Sequence, residues 1–164
     1  MAIPQIPHEP TARERQGLLR AAESIAIVGF SPNTARSSYY VATYLTQDTD
    51  YRLYFINPNA AGREVLGQPV YASLADLPET PDIVDVFRRA SDLPAVVDDV
   101  VALGSPVVWF QLGLTNDEAA EAARAAGLSV VQNRCLKIEH ARFHGGLHLA
   151  GFDTGVITSR PTGR

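Results

Sequence analysis

The sequence contains a single cysteine, Cys135, and no long apolar run. One cysteine closes no internal disulfide, so the fold rests on burial and hydrogen bonding, as in chains of a reducing compartment. No stretch approaches the roughly 20 apolar residues that span a bilayer. The opening Met1-Ala2-Ile3-Pro4-Gln5-Ile6-Pro7-His8 lacks the basic start and apolar segment of a secretory signal. The expectation is a soluble, cytoplasmic protein. Basic runs are missing as well: 14 Lys and Arg stand against 18 Asp and Glu, for a formal charge of −4. Nothing there tracks a phosphate backbone, which argues against nucleic acid as a partner.

What is present is ordinary for a globular chain. A 46% hydrophobic fraction beside 20% charged residues offsets chain entropy and excludes global disorder. A length of 164 residues predicts one core, a single domain over 1–164 with an N-terminal arm at 1–10 and a C-terminal tail at 141–164. Prolines 4, 7 and 10 keep the arm out of a sheet, because each removes a backbone donor.

Past the arm, short apolar runs alternate with helical patterns. Thr11 with Glu14 three residues on forms a capping box for a helix carrying Leu18 and Leu19. Ile25–Gly29 is nearly continuous in apolar residues and ends on glycine, the pattern of a strand buried on both faces. The stretch SSYYVATYLTQD follows as a helix, capped by Ser37 or Ser38, with Tyr40, Val41, Tyr44 and Leu45 on one face. Arg52–Asn57 is a second strand, and 64–71 an irregular excursion with the character of a small hairpin. SLADLP then makes a turn of helix. Ile83–Phe87 and Pro106–Phe110 are further strands around a helix that buries Val96, Val97, Val100 and Leu103. Thr115 caps the next helix, Gly127 closes it, and Leu128–Val131 is the fifth strand. Beyond Cys135, glycines break the tail into ordered and trailing parts. The alternation predicts a three-layer α/β fold with a doubly wound, mostly parallel five-stranded sheet. Ligands then lie beyond the carboxyl ends of the strands, where strand order reverses.

The loop after the first strand, Gly29-Phe30-Ser31-Pro32-Asn33-Thr34-Ala35-Arg36-Ser37-Ser38, brings a tight turn, hydroxyls and an arginine to a helix N-terminus. Oriented amides and the positive end of the helix dipole make such a loop a phosphate site. On the other reading, Ser37 is only a cap and Arg36 a solvated charge. The second and third glycines of G-x-G-x-x-G are missing, and the second strand ends in Asn57-Pro58 where a carboxylate for ribose hydroxyls belongs. Both departures weigh against NAD.

Five linked segments carry a resemblance: IVGFSPN with ARSSYYVATYL, FINP, DIVDVFRRASDLPAVVDDV, VVWFQLG and VVQNRCLK. Together, from about Ser24 to Lys137, the chain resembles the single-domain CoA-binding protein family, related to the CoA-binding domain of the succinyl-CoA synthetase alpha subunit. The resemblance implies a Rossmann-like fold that holds coenzyme A, or an acyl-CoA, across the strand-terminal loops. Carried over by position, Gly29, Ser31, Asn33, Arg36 and Ser37, with Phe30 in the same loop, cradle the pyrophosphate. Asn57 and Pro58 border the adenosine. Phe87, Arg88 and Arg89 supply an apolar face and charge-assisted bonds to phosphate, unless the two arginines are merely solvated. The implied role is that of a carrier, sensor or regulatory module. The ligase domain with its phosphorylated histidine needs well over a hundred further residues, so this chain alone makes no succinyl-CoA.

Other chemistries fit less well. Arg134 and Lys137 flank Cys135 closely enough to favour a thiolate and a mixed disulfide with the CoA thiol; otherwise Cys135 is a small buried hydrophobe. His140, His144 and His148 recur at helical spacing, but Gly145 and Gly146 interrupt the helix a zinc site needs. Asp98 and Asp99, adjacent on a helix, point about 100° apart and face water. Gly29-Phe30-Ser31-Pro32-Asn33 fails the last position of G-x-S-x-G, so Ser31 is no hydrolase nucleophile. The alternatives are an NAD(P)-binding oxidoreductase-type domain and a protein-interaction module with a vestigial nucleotide pocket. A weak homodimer or an unknown protein partner stays open.

Overall fold

The structure, a computed structural model, describes residues 2–144. Seven strands form one sheet: β1 (Ser24–Val28), β2 (Arg52–Ile56), β3 (Glu64–Val65), β4 (Gln68–Tyr71), β5 (Ile83–Val86), β6 (Val107–Phe110) and β7 (Ser129–Val131). Their spatial order is β3-β4-β2-β1-β5-β6-β7. All neighbours run parallel except the β3–β4 hairpin. From β1 the chain winds outward to β2 and β4, then crosses back to β5 and winds the other way. Strand order therefore reverses between β1 and β5, and the loops leaving their carboxyl ends face each other.

The helices α1 (Ala12–Ala21), α2 (Ser37–Asp48), α3 (Leu93–Leu103), α4 (Asp117–Ala125) and α5 (Leu136–His144) cover both faces. Alternate strand residues feed two apolar layers. Ile25, Ile27, Phe55, Ile83 and Trp109 pack with Leu18, Leu45 and Leu136 from α1, α2 and α5. Ala26, Val28, Val84, Val86, Val108 and Phe110 pack with Val97, Val100 and Ala120 from α3 and α4. A strand sandwiched in this way favours apolar residues at nearly every position, which is why β1 and β6 read as almost unbroken runs and β5 as a run interrupted only by Asp85.

The doubly wound fold stands, with two more strands than the sequence reading predicts. The hairpin at 64–71 exists, but β4 also pairs with β2 through Phe55–Val70 and Ile56–Tyr71, extending the sheet. Its turn places Leu66 at φ 53° and Gly67 at φ 77°, a primed turn with a leucine where Asn or Asp normally signals it. Three local details also differ. Arg36, not Ser37 or Ser38, stands at the α2 N-cap, and no side chain caps the helix. Tyr40 is exposed on α2, while Ser38, Val41, Ala42 and Leu45 form the buried face. Asn116 rather than Thr115 caps α4, its side chain accepting from the Ala119 amide at 3.0 Å. The capping box at Thr11 and Glu14 forms as read, and Gly127 closes α4 at φ 93°.

The arm lies along the free edge of β7. Ile6 is buried, its amide donates to Ser129 Oγ at 2.8 Å, and Glu9 accepts from the Gln132 amide at 2.9 Å. An otherwise open sheet edge is thereby blunted. Residues 136–144, which run into the segment read as the tail, form α5. It docks on α1 through a buried pair, with Arg15 Nε donating to Glu139 Oε2 at 2.9 Å and Arg15 Nη1 donating to the Pro10 carbonyl at 2.8 Å. Arg15→Leu leaves the Glu139 carboxylate buried and unpaired, so it is expected to cost about 3–5 kcal/mol in urea unfolding. Arg15→Leu with Glu139→Leu should recover most of that loss. Equal losses in the single and double variants would refute the account.

Among the described residues, no helix is long and apolar enough to cross a membrane.

Candidate functional site

The β1 and β5 loops meet at closer range than any side chain allows. Gly29 adopts φ 79°, and a Cβ built on it falls 2.1 Å from the Phe87 carbonyl oxygen and 3.4 Å from Arg88 Cδ. Its amide donates to the Ile56 carbonyl at 3.0 Å, as does that of Phe30 at 3.2 Å. The Phe87 amide donates to the Val28 carbonyl at 2.8 Å. Three strand ends are thus tied together at the reversal of strand order, and Arg88 crosses the junction.

A cleft opens on either side. The first, of about 610 Å³, lies between the β1 loop, the start of α2, the β6 loop and α5. Arg36, Ser37 and Arg88 give it a polar end, while Val41, Leu112, Leu114 and Ile138 give it apolar walls. The second, of about 420 Å³, lies towards α3, between Pro58, Ser73, Leu74 and the segment from Arg88 to Asp92. Arg88 lines both clefts.

The β1 loop is held in shape by its own polar groups. The Ser31 amide donates to Ser38 Oγ at 2.9 Å, the Asn33 amide to Ser31 Oγ at 3.1 Å, and the Ala35 amide to Asn33 Oδ1 at 2.9 Å. With no side-chain cap and no acidic residue in its first turn, α2 presents its N-terminal amides and Arg36 to the first cleft. Such an end attracts an anion.

The eleven residues singled out in the sequence divide into three groups. Gly29, Ser31, Arg36, Ser37, Phe87 and Arg88 converge on the first cleft, and Pro58, Arg88 and Arg89 on the second. Arg89 is paired with Asp92 at 3.3 Å. Phe30, Asn33 and Asn57 line neither cleft. The Phe30 side chain is fully buried and stacks on Phe55 at 4.3 Å between ring centroids, so it serves the core. Asn57 clasps two loops: Nδ2 donates to the Phe30 carbonyl at 2.8 Å, and Oδ1 accepts from the Asn59 amide at 2.9 Å.

Other residues of the site escaped the sequence reading. Gln111 lines the first cleft and donates from Nε2 to Asp85 Oδ1. Asp85 is wholly buried on β5, with Ile27 and Trp109 opposite it on β1 and β6, and its Oδ2 has no hydrogen-bond partner among the described residues. Burial pushes its pKa up to about 8, against a smaller lowering by Gln111, so the carboxyl is protonated at neutral pH. The available signal was an aspartate within the apolar run Ile83-Val84-Asp85-Val86.

Cys135 lines the same cleft, yet its thiol is not activated. Burial pushes its pKa up, and Asp85 once ionised adds to this, outweighing the backbone hydrogen bonds and Lys137. Of the two readings of Cys135, the half-buried, unactivated thiol is the one the structure supports, and the thiolate is not. His140 is buried, with its Nδ1 and the Tyr44 hydroxyl 2.8 Å apart. His148 and the side chain of His144 lie outside the described residues. Among those described, no group of three or more His, Cys, Asp or Glu could hold a metal ion. Asp98 and Asp99 are both exposed on α3.

Comparison with known proteins places this geometry. A family model described as a CoA binding domain matches residues 23–141, which hold every strand and both clefts. An uncharacterized protein of Bacillus subtilis, YneT, is 35% identical over 132 residues, 80% of this chain and 96% of its own. A solved structure from Thermus thermophilus is 38% identical with a TM-score of 0.77, covering 82% of this chain and 99% of its own. A hypothetical protein from Pyrococcus horikoshii is 34% identical with a TM-score of 0.78, over 88% of this chain and 99% of its own.

Proposed function

We propose that this chain, which belongs to the CoA-binding domain family, holds coenzyme A or an acyl-CoA across the two clefts, as a carrier, sensor or regulatory module without ligase activity of its own. The observation that carries the reading is the placement of Arg88. It lies over Gly29 where β1 and β5 meet and lines both clefts, so a long ligand can cross there with phosphates under one guanidinium. The α2 N-terminus and Arg36 complete a cradle for the pyrophosphate. The second cleft, beside Pro58, takes the adenosine, and the first takes the arm that ends in the thiol or thioester.

A binding role is also supported by the state of the nucleophiles. The Ser38 hydroxyl is engaged by the Ser31 amide, and the Cys135 thiol is raised in pKa rather than activated.

Calorimetric titration with CoA, with dephospho-CoA and NAD as controls, tests the reading. Saturable binding that favours CoA over NAD is expected. Arg36→Ala and Arg88→Ala should each weaken it by about tenfold or more, the scale of a charge-assisted phosphate contact. No heat and no thermal stabilisation by CoA at millimolar concentration would overturn the proposal. Preference for NAD would transfer the site to a nicotinamide dinucleotide.

A further inference from the structure

Beyond its polar end at Arg36, Ser37 and Arg88, the first cleft is walled by Val41, Leu112, Leu114 and Ile138, with Cys135 beside them. Gln111 interrupts that surface with one amide. It is largely buried, and Nε2 is already committed to Asp85 Oδ1, so Oε1 is the atom left to accept a bond from an occupant. Among the described residues Asp85 is spent on this single contact: wholly buried, its other oxygen without a partner there, it occupies a core position that an apolar residue fills more cheaply. A buried carboxyl whose one recorded bond fixes an amide in a ligand cleft is a positioning residue for that amide. Sparse, fixed polar groups in an apolar wall are how a cleft orients its ligand.

We propose that Gln111 is a specificity-determining residue: its Oε1, oriented by Asp85, accepts a hydrogen bond from an amide N–H in the pantetheine arm of the ligand. The inference rests on the CoA reading of the site and deepens it. It separates recognition into two parts, phosphates at Arg36 and Arg88 and the arm at Gln111, so the chain selects an amide-bearing, thiol-ended nucleotide over the nucleotide alone.

The test compares CoA with adenosine 3′,5′-bisphosphate, which carries the nucleotide but no arm, by calorimetry on the intact chain. In the parent, CoA is expected to bind more tightly than the bisphosphate. Gln111→Met should lower CoA affinity by about tenfold while leaving the bisphosphate within twofold. Asp85→Leu should do the same by releasing Gln111, and Asp85→Asn, which keeps an acceptor for Nε2, should restore the parental ratio. The ratio of the two affinities is the readout, because a partly unfolded variant loses both ligands in proportion. A parallel loss of both ligands, or an unchanged ratio in Gln111→Met, overturns the role of Gln111. Bisphosphate binding as tight as CoA in the parent shows that the arm is not read, while the nucleotide reading survives. Binding of neither ligand by the parent removes the reading of the site and this proposal with it.

Discussion

Replacing Gly29 by alanine is expected to destabilise the fold by about 3 kcal/mol or more and to abolish CoA binding. Two independent costs meet at this position. The backbone is at φ 79°, a region that L side chains rarely adopt. The added methyl carbon also falls 2.1 Å from the Phe87 carbonyl oxygen, a backbone atom that moves only if the ends of β1 and β5 move apart. That movement breaks the hydrogen bond from Phe87 N–H to the Val28 carbonyl and withdraws Arg88 from the junction of the clefts. A lowered urea midpoint together with lost CoA affinity is the expected result. Gly17→Ala is the control, since Gly17 lies in α1 with nothing within 4 Å of its Cβ position. A Gly29→Ala chain as stable as its parent would show that the two loops are not locked together.

The strands that build the site were legible because burial on both faces leaves little room for polar residues, Asp85 on β5 being an exception. Val107-Val108-Trp109-Phe110 admits hardly any other reading. The β3–β4 hairpin joined the sheet unannounced: β3 has two residues, too few to show a period, and Leu66 hides the turn. Helix α5 was missed for a different reason. Its buried face carries Glu139, His140 and Arg142, and polar residues satisfied by distant partners such as Arg15 and Tyr44 erase the hydrophobic stripe that marks a helix. The candidate site shows the same division. Gly29 and the Arg36 loop follow from local sequence, since a strand-ending glycine before a helix start is a local pattern. Phe30 could not be told from a ligand contact, because its partner Phe55 lies on another strand. Gln111 and Asp85 gain meaning only when the register sets β5 beside β6.

Asp85 leads to the second large effect, a stability that falls as pH rises. In the folded chain burial lifts its carboxyl from an ordinary value of 3.8 to about 8. The unfolded chain releases this proton as pH passes about 4, whereas the folded chain retains it until about 8. Between those values the folded state binds one proton more, so the Asp85 contribution to stability is fully present below about pH 4. It then declines by up to about 1.4 kcal/mol per pH unit and levels off above about 8. Cys135, the titrating neighbour that feels the Asp85 charge, has its own pKa raised and stays neutral across the window. Other groups titrate over the same range, so the informative quantity is a difference. Urea unfolding of the parent and of Asp85→Asn, from pH 4.5 to 8.5, should show the variant gaining steadily on the parent as pH rises. Whatever constant offset the buried amide introduces drops out of that slope. Two stability profiles that run parallel across the window would mean that Asp85 is ionised in the folded chain. Its unpartnered oxygen would then need a cation or donor supplied by the ligand, and the Asp85–Gln111 pair would be arranged around a charge rather than around a neutral acid.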